Sequence, residues 1–221
     1  MNPLKKYNQK IRPIIAIVIS AFTAIFIEFF KKKFGGETSL LAGIAAAIVG
    51  LISYKFGDFF ENIISNCPKL RQCLDKENFM EGYWYDFDEN NNTMALYLIE
   101  YKDDSYTITG NNYNNKGVQV SDWSTIGSFL VGKTLYSVYE SKKKSDEHKT
   151  GKNVKGYFEL KFSGNPPETN FGCFMDTENT EEATVNGFKV TKSELDGYDN
   201  FSSYTFKSKF VCDKLLGRKV L

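Results

Sequence analysis

Two apolar runs near the N-terminus constrain this chain more than any other feature. No charge occurs from Pro13 to Ile27; Glu28 then interrupts before Phe29 and Phe30 complete the run. A second uncharged run goes from Thr38 to Tyr54, after the short segment Lys31–Glu37. At about 1.5 Å of rise per residue, roughly 17 helical residues reach about 25 Å, close to the minimum for crossing a bilayer's hydrocarbon core. So short a connection makes the two helices antiparallel, and residues 1–56 are expected to form a transmembrane helical hairpin. Lys5, Lys6, Lys10 and Arg12 also fit the basic region of a signal peptide. The second run, and the lack of a small-x-small cleavage site after the first, favour a retained anchor. Those four cations, with Lys55, Lys69 and Arg71 after the second run, outweigh Lys31, Lys32 and Lys33 between the runs. That bias places both termini in the cytoplasm, a multi-pass arrangement.

Small residues recur every four positions in both runs: Ala16, Ser20 and Ala24, then Ala42, Ala46 and Gly50. Such stripes let helices approach closely in lipid, either within one hairpin or between copies. Residues 57–79 read as a connector. Asp58–Cys67 is amphipathic, with Phe60, Ile63, Ile64 and Cys67 at helical spacing, and Pro68 ends it.

From Glu81 the pattern changes to alternation, and residues 80–221 are expected to form one all-β domain. Eight strands are predicted: Glu81–Asp88, Thr93–Lys102, Ser105–Tyr113, Val118–Ser128, Lys133–Ser141, Val154–Ser163, Thr169–Asp176 and Thr184–Val190. Turn chemistry separates them, as in Glu89–Asn92, Asp103-Asp104 and Gly164–Pro167. Short connections between consecutive strands imply an eight-stranded antiparallel up-and-down β-barrel, wide enough for one small ligand. The polar segment Lys142–Lys152, which holds the single histidine His148, reads as a solvated tip. Thr191 and Glu194 have capping-box spacing for a short helix. Phe201–Phe210 alternates well enough for a final strand or packing segment.

Charge and chemistry then narrow the function. Residues 1–38 carry seven Lys/Arg against two Glu, or +5; with +1 overall, residues 39–221 carry −4. That is not the broad basic face of a DNA or RNA polymer binder. Cys67, Cys73, Cys173 and Cys212 show no paired metal-ligand spacing, and they read as reduced thiols. No nucleophile–base set, Gly-x-Ser-x-Gly or phosphate-cradling glycine loop occurs, so a binding protein without a cofactor is expected, not an enzyme. Asp86 and Asp88 share a strand face and, as neighbouring acids, read as solvated. Aromatic residues crowd the predicted strands: Tyr83, Trp84, Tyr85, Tyr97, Tyr101, Tyr106, Trp123, Tyr136 and Tyr139. They either fill the barrel or stack bases. Gly82-x-Trp84 resembles the Gly-x-Trp of lipocalin-type barrels, whose Trp closes the barrel floor.

Taken in order, the hairpin, the connector, Glu81-Gly82-Tyr83-Trp84 and Trp123-Ser124 followed by Leu135-Tyr136 and Tyr139 make the chain resemble one known group. These are the two-transmembrane, β-strand-rich effectors of bacterial cyclic-oligonucleotide antiphage signalling (CBASS). The resemblance implies an inner-membrane protein with a cytoplasmic barrel. A cyclic dinucleotide would be its activating ligand, prompting self-association of the hairpins and membrane disruption. Tyr85, Tyr97, Trp123 and Tyr139 would stack on bases. The three arginines (Arg12, Arg71, Arg218) lie outside the predicted strands. Phosphates would therefore be met by Lys161 or Lys189, or by Thr107, Thr109 and Ser124. The rival readings are a membrane-tethered carrier or lipid-binding barrel, and a purely structural interaction module.

Overall fold

The computed structural model describes residues 7–34, 38–88, 93–143, 153–177, 181–197 and 204–218. The chain forms two compact units, Met1–Asp75 and Lys76–Leu221.

In the first unit a π-helical turn, Tyr7–Ile11, leads into helix α1, Arg12–Phe34; α2 spans Thr38–Asn66 and α3 Pro68–Leu74. The stretch Tyr7–Phe29 is long and apolar enough to cross a membrane, by length and composition alone. α1 and α2 pack as an antiparallel pair. Arg12 at the start of α1 lies 3.9 Å from Asp58 and from Glu61, and the Tyr7 hydroxyl donates to the Gly57 carbonyl at 3.4 Å. The amphipathic stretch Asp58–Cys67 is not a separate element: α2 runs through it unbroken to Asn66. Cys67 adopts an extended backbone, and Pro68 opens α3 at a position where its missing N–H is no loss.

The small-residue stripe does not pack within the hairpin. In α1 the half-buried described positions after Arg12 are Ile15, Ile19, Thr23 and Ile27, four residues apart, whereas Ala16, Ser20 and Ala24 are exposed. Branched side chains fill the helix pair's seam and turn the small ones outward. Gly50 is exposed as well, while the side chains of Ala42 and Ala46 lie outside the described residues. Ser20 and Thr23 donate back to the Ala16 and Ile19 carbonyls at 2.8 and 2.7 Å. Their hydroxyls thus bring no unpaired polar group to the helix surface.

The second unit is a closed barrel of eight consecutive antiparallel strands. They are β1 Gly82–Asp88, β2 Thr93–Lys102, β3 Ser105–Tyr113, β4 Gln119–Val131, β5 Thr134–Lys143, β6 Asn153–Gly164, β7 Pro167–Asp176 and β8 Ala183–Lys189. β1 pairs with β8, so no edge is left open. The β2–β3 turn places both Asp103 and Asp104 at positive φ, the twist that a two-residue hairpin requires. β4 is longer than its alternation suggests because a bulge between Thr125 and Gly127 shifts the register.

Large and small residues alternate around the interior. Trp123 faces Gly110, Tyr139 faces Gly156, Leu160 faces Gly172 and Asn170 faces Gly187, each as Cα partners on adjacent strands. A Cβ on Gly156 would stand 2.6 Å from the Tyr139 hydroxyl, and one on Gly110 would strike the Trp123 indole. The glycines make the room that the rings occupy.

One end of the barrel is plugged. Trp84 is fully buried, donates from Nε1 to the Met80 carbonyl at 2.7 Å, and meets Phe162 edge-on at 5.0 Å. Lys189 closes the same end. Its ammonium lies 5.1 Å from the Phe79 ring centre and 5.5 Å from that of Trp84, and it donates to the Phe79 carbonyl at 3.2 Å. Lys189 therefore holds the floor rather than a phosphate.

Outside the barrel, Tyr85, Phe87, Met94, Leu96 and Tyr113 form a second core with Phe210, Val211 and Leu215. The last three lie on helix α5, Tyr204–Arg218, which follows the short α4, Lys192–Asp196. Of the two readings of Phe201–Phe210, the packing segment holds and the strand does not: its described residues, from Tyr204 on, are helical. A closed sheet offers no edge for a ninth strand, and Phe210, Val211 and Leu215 lie on one side of the helix. The Thr191–Glu194 capping box forms: Glu194 N–H bonds Thr191 Oγ1 at 3.3 Å, and Thr191 N–H bonds Glu194 Oε2 at 2.7 Å. An ion pair from Lys214 to Glu194 joins α5 to α4. His148 and the turn Glu89–Asn92 lie outside the described residues.

Candidate functional site

Above the floor, the barrel encloses a cavity of about 150 Å³. Its walls alternate as the strands do, and two kinds of side chain dominate. Tyr97, Trp123, Tyr139, Phe158 and Phe174 supply rings; Asp86, Asp88 and Asp176 supply carboxylates. Trp123 sits at the centre, with ring centres 5.8 Å from Tyr97, 5.9 Å from Tyr139 and 5.8 Å from Phe158. Its Nε1 donates to Asn112 Oδ1 at 2.9 Å, which sets the plane of the indole.

The acids are inside because β1 alternates with period two from the plug: Trp84, Asp86 and Asp88 share the inward face. Asp86 and Asp88 are 8% and 5% exposed, so the solvated reading of this pair is overturned. Burial pushes the Asp86 carboxyl up to about 7, and the Asp88 charge adds to this. Hydrogen bonds from the Ala95 N–H and the Tyr97 hydroxyl oppose it. Burial likewise raises the Tyr97 and Tyr139 hydroxyls, aided by Asp86 and Asp176 respectively. The Tyr97 oxygen accepts from Asn170 Nδ2 at 2.9 Å. Asn170 Oδ1 and Ser137 Oγ are buried with no hydrogen-bond partner among the described residues.

The wall of the barrel divides the predicted site. Tyr97, Trp123 and Tyr139 come together on the cavity. Tyr85 points outward and packs under α5, with its ring 5.6 Å from Phe210 and 5.0 Å from the Lys214 ammonium. Thr107, Thr109, Ser124 and Lys161 are also on the outer wall. Thr107 bonds the Glu100 carbonyl at 3.4 Å, and Lys161 is exposed. All five lie outside the cavity for one reason: in a strand, the neighbour of an inward residue points out, so inward Trp123 turns Ser124 outward. Thr109 and Ser124 are Cα partners and line an outer groove of about 360 Å³ with Lys142 and Lys207, which Tyr97 and Trp123 border as well.

Among the described residues no lysine or arginine lines the cavity. Its carboxylates and ring faces suit hydrogen-bond donors or cationic groups on a flat ligand, and a phosphate would meet like charge. At about 150 Å³ it takes a single ring-sized group. Among the described residues no three His, Cys, Asp or Glu side chains converge to hold a metal, and the four cysteines are free thiols. The missed wall residues, Asp86, Asp88, Asp176, Asn112, Phe158 and Phe174, were accessible in part. Parity from Trp84 alone orients Asp86 and Asp88. No protein-family model, curated protein or solved structure matches this chain.

Proposed function

We propose that this chain is a membrane-anchored antiphage sensor-effector. Two transmembrane helices hold the barrel at the cytoplasmic face of a bacterial inner membrane. A cyclic dinucleotide inserts one base into the cavity, and the hairpins then self-associate and disrupt the bilayer. The observation that carries this reading is the pocket of aromatic rings beside three acids. Rings stack a base, at roughly 1–3 kcal/mol per contact. The carboxylates accept from its amino and ring N–H groups, and the two phosphodiesters stay outside, in water, away from like charge. Binding, not bond-making, is the chemistry these groups offer.

The test uses the full chain in lipid nanodiscs, heated with a panel of cyclic dinucleotides. One member is expected to raise the melting temperature while free phosphate does not. Trp123→Ala should weaken that ligand by about tenfold or more, the equivalent of one lost stack. If no member shifts the transition, the messenger reading fails.

Gly50→Leu separates sensing from effect. Gly50 is exposed on α2, with open space where a Cβ would stand. A bulky residue there obstructs close helix pairing between copies. Ligand binding should persist while ligand-induced dye leakage from vesicles is lost; unchanged leakage would remove this face from the mechanism. The floor sealed by Trp84 also suits a tethered carrier. Ligand binding that never alters leakage in the unmodified chain would favour that alternative.

A further inference from the structure

We propose that the bare outer wall of the barrel, centred on Tyr157 of β6, pairs with the same wall of a second copy of this chain. α5 covers the outer apolar positions of β1–β3. Across β4–β7 no described element does so. There Gly127, Val138, Tyr157 and Met175 are successive Cα partners and form one row across four strands. Val138 and Tyr157 are 50% and 43% exposed, and Ile126 and Phe129 beside them 60% and 63%. Four strands at about 4.8 Å spacing and three outward rows give a patch on the order of 400 Å². Its middle row is apolar, while Lys155 with Glu140 on one side and Glu159 on the other give it a charged rim, the build of a protein interface. The patch is about half of what each partner buries in a stable complex, so confinement at a membrane has to assist the pairing. That assistance rests on the proposed anchor; the surface itself does not.

Charge identifies the occupant. Lys155, Tyr157 and Glu159 follow one another on the outward face of β6. A two-fold axis crossing the strands at Tyr157 sets each Lys155 against Glu159 of the other copy, twice. An axis along the strands would instead set Lys155 on Lys155 and Glu159 on Glu159, which like-charge repulsion disfavours. The pattern positive–aromatic–negative is self-complementary, as an isologous interface requires. Both charges are available for it. Glu140, the Cα partner of Lys155, accepts from Asn153 Nδ2 at 2.8 Å, and among the described residues neither Lys155 nor Glu159 forms an ion pair within its own barrel.

The test uses the full chain in phosphatidylethanolamine–phosphatidylglycerol vesicles without nucleotide. Packed sheets stand about 10 Å apart, so a bis-maleimide of that reach should join Tyr157→Cys copies beyond the level seen with the four native cysteines. Lys155→Glu or Glu159→Lys alone should each cut the joined fraction by about tenfold. The double variant, which reverses both charges, should restore it. Only homotypic pairing predicts that restoration. Absence of joined chains, or failure of the double variant to recover, overturns the proposal. So does a dye on the Tyr157→Cys chain that reports a lipid environment at every protein density, because the face then lies on the membrane. Since no nucleotide is present, failure here leaves the messenger reading standing, and failure of that reading leaves this result standing.

Discussion

Trp84→Ala is expected to destabilise the barrel by about 3–5 kcal/mol, the usual cost of emptying a large aromatic site in a packed core. The indole is wholly buried, its N–H is bonded to the Met80 carbonyl, and Phe162 and the Lys189 ammonium both rest on its ring. Removal therefore loses apolar burial and leaves an unanswered carbonyl and a half-buried cation with one aromatic contact fewer. Urea denaturation followed by far-ultraviolet circular dichroism would measure it, and a fall in melting temperature of about 10 °C or more should accompany it. Trp123→Ala supplies the contrast. Trp123 lines a cavity that already exists and is only half-buried, so its loss should cost binding more than stability. A cost below about 1 kcal/mol at Trp84 would mean that the floor is not a structural plug.

The second large effect is a minimum in barrel stability between about pH 7 and pH 8. Asp86 carries a folded-state pKa of about 7 against an ordinary 3.8. Between those values the folded chain keeps a proton that the unfolded chain has lost, so stability falls as pH rises through the window. The full swing is on the order of 4 kcal/mol, present below the ordinary value and gone above pH 7. Lys189 gives the other limb. Burial pushes its pKa down to about 8 from 10.5, opposed by Glu81 and Glu168. Above pH 8 the unfolded chain holds the extra proton, and stability rises with pH up to the ordinary lysine value. Denaturation midpoints from pH 4 to pH 10 should trace this trough. Asp86→Asn should flatten the acid limb and leave the alkaline one; a midpoint that instead climbs steadily from pH 4 to pH 7 would show that Asp86 is solvated and ionised throughout.

Some elements were open to inspection residue by residue. Alternation from Gly82 to Asp88, closed by Glu89–Asn92, marks a strand because period two and turn residues act over a few positions only. The same locality made the Thr191–Glu194 cap readable. Phe201–Phe210 stayed open between a strand and a packing segment because Tyr204, Phe206 and Phe210 satisfy a strand period about as well as a helical one. The tie was broken by a core on the outer wall of β1–β3 that only the closed sheet creates. The small stripe Ala16, Ser20 and Ala24 left two partners open for a similar reason: spacing marks a face, and the partner decides where that face points.

What the amino-acid order alone determined is the apolar N-terminal segment, eight strands with their turns, and a plug at Trp84, all set by patterns a few residues long. Which strand face became the interior, and therefore that Tyr97, Trp123 and Tyr139 meet three acids while Thr107, Thr109, Ser124 and Lys161 stay outside, was decided only on closure. Parity within one strand is local, but matching the parities of eight strands needs the register between them, and that is fixed by burying one common face against itself.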